Sequence, residues 1–455
     1  MEQALVAPLS LGEEGVSLFA GTMLSLGQNP YDPGFLTNHP WRCVGSPPNY
    51  FAVVSWLLRL TGPSLVTLRL VSGASFLILL VILHRIFAQS GASKLGRVVG
   101  LINFCAFWTV WAYAFRGTPD MLSLSLVALA IEQYMALARK PKDDSIFRFP
   151  RLIVIATLAV LAWLTKTSCA AVIPAIAAAL IVGRQWRLSL VFMFLCSVLS
   201  VASVLILNNF TAGGYSAHTV FSVSSPFSWH SLREHLSWLS SDWLILAVSP
   251  LCLVSLIIAY FRGINERQGP YRQRLSAIVV MVTLFYLSFF VSIYVMGKAA
   301  AGVTDFFLIL LAVAWMVSVS VDHMSRKFLI LLFGAYFCGF YVIYSLLQNQ
   351  TVQIGKMQDG LEIIRQIPFS KKLMLAEECT LPLVLDATPE FVNLPTMTSV
   401  WSSDPEVIAS NLHQVKERIK AKDYGSIVIN SHDGCLIKPY KYWDDSVIKL
   451  SLIHI

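Results

Sequence analysis

The sequence predicts an all-helical, multi-pass membrane protein with a small α/β domain at its C-terminal end. Three observations carry this prediction. Apolar residues make up 56% of the 455 residues and charged residues only 13%, against about 25% charged in soluble domains. Ten apolar runs approach the roughly 20 residues that cross a hydrocarbon core. The stretch 349–455 loses that character and alternates short apolar segments with polar ones.

The ten predicted spans are 63–87, 97–115, 118–138, 152–165, 168–183, 187–208, 240–262, 275–297, 303–322 and 327–348. The fourth and fifth are short and nearly continuous through "LTKTSC", which reads as two helices joined by a tight turn. A further apolar stretch, "NYFAVVSWLLRL" (49–60), is too short to span and is expected to lie along the interface or to dip into the membrane. Three regions follow: a first outer segment 1–62, a transmembrane domain 63–348 and a soluble tail domain 349–455.

Basic residues set the orientation. Alternate span ends hold sixteen: Arg85, Lys94, Arg97, Arg139, Lys140, Lys142, Arg148, Arg151, Arg184, Arg187, Arg262, Arg267, Arg272, Arg274, Arg326 and Lys327. The opposite loops hold Arg42, Arg116, Lys166, Arg233 and Lys298. The positive-inside rule puts the first set in the cytoplasm. Residues 1–62, the loops near 116–120, 165–168, 209–239 and 298–305, and the tail then lie outside. The net charge of +8 is a signature of topology, because no basic cluster interleaved with aromatics marks a nucleic-acid groove.

In the tail, "LPLVLDA" (381–387) and "YGSIVINS" (424–431) read as strands. "DPEVIASNLHQVKERIKAKD" reads as an amphipathic helix with Asp404 as N-cap. The eight cysteines show no metal-binding spacing. Most lie in apolar runs and read as core, and Cys379 and Cys435 are placed to form a disulfide if the tail is extracytoplasmic. Residues 1–11 carry no basic n-region, so they do not read as a secretory signal.

The outer face gathers the chemistry-bearing residues: Glu13, Glu14, Tyr31, Asp32 and Arg42, then Arg116 and Asp120, then Lys166, then His218, His230 and His235, then Lys298 and Asp305. The bland readings are definite. Glu13 and Glu14 can be first-turn acids of a helix over 16–26. Arg116 and Asp120 can be a surface pair, Lys166 a snorkelling helix-end lysine, Asp32 a turn cap and the histidines loop residues. The sharper reading is group transfer from a lipid-linked phosphate. Scattered cations would hold the phosphate as it leaves, and a carboxylate would take the proton of an acceptor hydroxyl.

Several motifs carry a resemblance. In chain order they are "EEGVSLFAGTMLSLGQNPYDP", "SPPNYFAVVSWLLRLTGPSLVTLRLVSG", "RGTPDMLSLSLVALAI", "LAWLTKTSCAAVIPAIAAAL" and "MGKAAAGVTDFFLILLA". The series resembles the GT-C glycosyltransferases related to the protein O-mannosyltransferases and aminoarabinose transferases, over about residues 12–348. The resemblance implies a GT-C fold with Glu13 as base and Glu14 orienting the acceptor or a partner cation. It places Lys166, Arg116 and Lys298 at the donor phosphate, with Asp120 and Tyr31 in support. The chain departs from the family in three places. Glu-Glu replaces the usual Asp-Glu, which leaves open which glutamate is the base. Ser46 stands at the "HPP" histidine. The family's helix ahead of the acidic loop has no counterpart in the eleven residues before Gly12.

The expected activity is inverting transfer of a sugar from a polyprenyl-phosphate donor to a lipid, glycan or protein acceptor on the outer face. No cofactor is required, and a divalent metal stays open as an addition. Membrane lipids are partners and nucleic acid is not. The rival readings are a polyprenyl-lipid or solute transporter, whose usual inverted repeats are not visible, and a non-catalytic scaffold.

Overall fold

The computed structural model describes residues 11–37, 43–139, 145–221, 227–238, 270–297 and 303–321, with short stretches after 330. Side chains are described for fewer residues than the backbone. The predicted span 240–262 and Lys298 lie outside the described residues.

The helices in chain order are α1 (Leu11–Ser25), α2 (Asn49–Thr61), α3 (Leu65–Gln89), α4 (Lys94–Cys105), α5 (Trp108–Ala114), α6 (Asp120–Arg139), α7 (Ser145–Trp163), α8 (Val172–Val182), α9 (Trp186–Phe210), α10 (Trp229–Trp238), α11 (Pro270–Met296) and α12 (Phe307–Ser320). Short 3₁₀ turns, Thr167–Ala171 and Val303–Phe306, precede α8 and α12. Among the described residues α3, α6, α9 and residues Ala277–Met296 of α11 are long and apolar enough to span. This is an integral membrane protein.

The bundle is organised around α12. Every residue of α12 except Val319 is buried, as expected of a helix that is apolar all round. It packs on α4 and α11, while α3, α6 and α7 pack in succession beside it. The close approach to α4 depends on Gly96 and Gly100. A Cβ on Gly100 would lie 2.5 Å from the Ser318 Cβ, and one on Gly96 would lie 2.3 Å from the Ser318 carbonyl oxygen. Small residues four apart are the usual device for close helix contact in membranes, where lipid supplies little hydrophobic drive. By contrast α9 buries only Ser189, Phe192 and Cys196 of its 25 residues. Leu188, Leu195, Leu199 and Leu207 are partly buried against the core, while Leu190, Phe194, Val198, Val201 and Leu205 are exposed, as on a lipid-contacting helix.

One predicted span needs correction. Residues 97–115 do not form a straight helix: α4 and α5 meet at a 73° bend. Phe107 is extended (φ −79°, ψ 125°) and restarts the chain as α5. The Trp111 indole N–H donates to the Cys105 carbonyl freed at the break, so that carbonyl is not left bare in an apolar setting. The run contains no proline to announce the bend.

Two other readings match the structure. "LTKTSC" is the tight connection between α7 and the turn leading to α8. Residues 49–60 form the separate helix α2, which buries Tyr50, Phe51, Val54, Ser55 and Leu58 while exposing Val53, Trp56 and Leu60. Helix α1 lies on α2, with Gly21 close against Val54 and Leu58.

In the tail, β1 (Leu373–Ala376), β2 (Thr388–Phe391) and β3 (Ser426–Val428) form a parallel sheet in the order β2-β1-β3. β3 falls inside the strand expected at 424–431. The strand expected at 381–387 and the Cys379–Cys435 pairing lie outside the described residues, and of the helix expected to begin at Asp404 only His413, Gln414 and Glu417 are described, as helical and exposed. Cys43, Cys105, Cys169, Cys196 and Cys338 are not in disulfides.

Candidate functional site

The site is built from the bottom of α1 upward. Glu14 sits in the first turn of α1, wholly buried, facing Arg69 one turn into α3. The Arg69 Nε donates to Glu14 Oε1 at 2.9 Å and its terminal nitrogen donates to Oε2 at 2.8 Å. Neither side chain has any exposed surface. The Gly117 N–H adds a third donor to Oε1 at 2.7 Å. At least three of the roughly four lone-pair positions of the carboxylate are thus occupied. Glu13 precedes it in α1, and its side chain lies outside the described residues.

Gly117 belongs to the "RGTPD" turn, which ties the first ion pair to a second. The Thr118 N–H donates to the Arg116 carbonyl at 2.7 Å, and the Ser72 hydroxyl on α3 donates to the Thr118 carbonyl at 3.2 Å. The turn ends at Asp120, the first residue of α6, where the helix dipole favours an anion. Asp120 Oδ1 accepts from Lys166 Nζ at 2.6 Å, and Asp305 Oδ1 stands 3.7 Å from the same nitrogen. Lys166 is in extended backbone (φ −150°, ψ 125°) between α7 and the following 3₁₀ turn. Asn49, at the start of α2, holds that connection in place. Its Nδ2 donates to Thr165 Oγ1 at 2.9 Å, and its N–H donates to the Leu164 carbonyl at 3.2 Å. Burial alone would lower the Lys166 pKa, but the carboxylates of Asp120 and Asp305 outweigh it and hold the ammonium above its ordinary value.

The other sequence-predicted residues take different places. The Arg116 guanidinium lies over the Tyr113 ring, 4.2 Å from its centre, and Tyr113 packs edge-on against Phe307 of α12. Arg116 is thus linked through Tyr113 to the start of α12. The Tyr31 hydroxyl donates to the Ser46 carbonyl at 2.7 Å, and its ring stands edge-on to both Tyr215 and His218. Tyr31 holds the first outer segment together, and burial raises its pKa well above the usual value. His218 is wholly buried. Its Nδ1 accepts the Val44 N–H at 3.0 Å, so its Nε2–H donates to the Asp32 carbonyl, also at 3.0 Å. Burial lowers its pKa, against a smaller opposing influence of Asp32. Asp32 itself accepts the Gly34 N–H at 2.8 Å, as a turn cap.

Five segments far apart in sequence thus meet: α1, the start of α3, the turn 116–120, the connection at Lys166 and the turn Val303–Phe306. All were assigned to the outer side by charge count, or begin there. Among the described residues no group of three or more His, Cys, Asp or Glu is placed to hold a metal ion.

No family model and no curated protein matches the chain. Solved structures do. The crystal structure of ArnT from Cupriavidus metallidurans bound to undecaprenyl phosphate matches with a TM-score of 0.60, covering 90% of this chain and 87% of that one at 13% identity. The apo form matches with a TM-score of 0.65, covering 94% and 89%, also at 13% identity. The chain has the ArnT fold. This agrees with the GT-C architecture implied by the motif series. Both comparisons extend over most of the chain, well beyond the span of those motifs.

Sequence reasoning missed Arg69 as a site residue. The signal was available: an arginine one turn into the apolar run 63–87, away from the basic end at Arg85, needs a partner within the protein, because a charge in that setting is costly unless paired. The pairing role of Asp305 and the N–H of Gly117 were also missed. The first stood in a motif read for its lysine, and the second is a backbone group without a side-chain signature.

Proposed function

We propose that this chain is an integral membrane glycosyltransferase that moves a sugar from a polyprenyl-phosphate donor to an acceptor hydroxyl on the extracytoplasmic face. The observation that carries the reading is the convergence of two ion-pair clusters, Glu14–Arg69 and Lys166–Asp120–Asp305, in a chain with the ArnT fold. The ArnT structure with undecaprenyl phosphate bound supports a lipid-linked donor.

The roles follow from what each group touches. The acceptor oxygen attacks the anomeric carbon as the bond from that carbon to the phosphate oxygen breaks, which inverts the centre. The hydroxyl proton passes to a carboxylate. Glu14 is engaged by Arg69 and Gly117, so Glu13 is the base and Glu14 the anchor that holds its turn of α1. Lys166, with Arg116 and Lys298, stabilises the departing phosphate. These cations can carry the phosphate charge without a cofactor, and a divalent metal, if used, would add to them. The acceptor is a lipid, glycan or protein, and the tail domain on the same face would help select it.

The test is transfer of labelled sugar from polyprenyl-phosphate donors to extracted acceptors. Glu13→Gln and Lys166→Ala are expected to lose about 100-fold or more, the scale of removing one group that acts in the transition state. Full activity in both variants would remove these residues from the site. Movement of lipid across vesicles without sugar transfer would support a transporter instead.

A further inference from the structure

The lysine cluster holds more negative than positive charge. Lys166 Nζ faces two carboxylates, at 2.6 Å from Asp120 and 3.7 Å from Asp305, and its side chain keeps 15% of its surface exposed. The two carboxylates are not equivalent. Asp120 is in hydrogen-bond contact and sits at the N-terminus of α6, where the helix dipole stabilises it. Asp305 is beyond hydrogen-bond distance and sits in a short turn. Its backbone is nevertheless fixed, because the Ser292 hydroxyl of α11 donates to the Asp305 carbonyl at 2.6 Å. Phe307, two residues on, packs against Tyr113. The Asp305 carboxylate can therefore leave Lys166 by a side-chain rotation, with no melting of the turn.

We propose that Asp305 holds the place of the donor phosphate on Lys166, and that an incoming polyprenyl phosphate displaces it. This rests on the donor class proposed above. Exchange of one anion for another keeps the ammonium paired throughout, so the buried cation is never bare. Asp120 stays bound and keeps Lys166 aimed. Asp305 thus sets a threshold that weakens donor binding, and removing its charge should strengthen binding.

The experiment is titration of the full chain, in lipid nanodiscs, with undecaprenyl phosphate, followed by tryptophan fluorescence. Asp305→Asn is expected to bind about 2- to 5-fold more tightly than wild type, the scale of one partly exposed ion pair. Asp305→Glu restores the charge and should return to near wild-type affinity. Equal or weaker binding by Asp305→Asn, with an unchanged melting temperature, overturns the proposal. So does tighter binding by both variants, since charge would not be the cause. No binding by the wild type would overturn the donor class itself, and this exchange with it.

Discussion

Glu14 and Arg69 meet through two parallel hydrogen bonds of 2.9 and 2.8 Å, 55 residues apart in sequence and both closed off from solvent. A pair like this contributes little net stability when intact, because both charges lose their hydration. It is costly to break. Arg69→Met leaves the Glu14 carboxylate buried without its cation and is expected to lose about 3–5 kcal/mol. The double variant Glu14→Leu/Arg69→Met should recover most of that loss. Thermal unfolding of the four species in detergent gives the coupling directly.

This pair also shows what was legible in the sequence. The helical membrane fold came through, though not the count of ten spans, because hydropathy is a one-dimensional signal and the motif order pointed to the same architecture. The 73° break between α4 and α5 did not come through, since the run 97–115 stays apolar across the bend and contains no proline. Lys166 and Asp120 were visible as charges near helix ends, but which charge meets which is a property of packing. In sequence Asp120 stands four residues from Arg116; in the fold it joins Lys166. The contact of Tyr31 with Ser46, which braces the first outer segment, is likewise a property of packing.

Gly117 is predicted to tolerate no side chain. A Cβ there would lie 2.6 Å from the Leu68 Cβ and 3.3 Å from Glu14 Oε1. Gly117→Ala should destabilise by about 1–3 kcal/mol, as overpacking does, and should reduce transfer by disturbing the turn that carries Asp120. The measurements are a melting curve and an initial rate on the same preparation.

Lys166→Met removes the cation and leaves Asp120 and Asp305 facing each other across its place. Stability should fall with activity. Adding Asp120→Asn should restore part of the stability, because it removes one of the two carboxylates, while activity stays lost. Recovery of activity in that double variant would show that the lysine serves only to neutralise Asp120.

His218 predicts an acid dependence. The folded ring is neutral, accepting the Val44 N–H through Nδ1, and its pKa lies below the usual 6.5. In the unfolded chain it takes a proton near the usual value. The stability it supports is therefore fully present above that value. It falls as pH drops from the unfolded to the folded pKa, and is lost below both. Wild-type melting temperature should decline between about pH 7.5 and pH 5. His218→Gln should start lower and decline less steeply, and equal slopes for the two would exclude His218 as the cause.

The α4–α12 contact supplies a control away from the ion pairs. Gly100→Ala would place a Cβ 2.5 Å from the Ser318 Cβ and 3.0 Å from the Ala314 carbonyl oxygen. It should cost about 1–3 kcal/mol while leaving the KM for donor unchanged in protein that remains folded. A shift in donor KM would show that this helix contact also shapes the site.

The three-donor seat of Glu14 imposes an order on biogenesis. Glu14 is synthesised before Arg69, and its third donor, Gly117, follows it by 103 residues. Until Arg69 and Gly117 emerge, the carboxylate lacks the donors that hold it in the folded protein, so its seat in α1 cannot close before α3 and the turn before α6 have been delivered. Closure of the first outer segment is then a late event, and nascent chains halted before Gly117 should leave that segment open to protease.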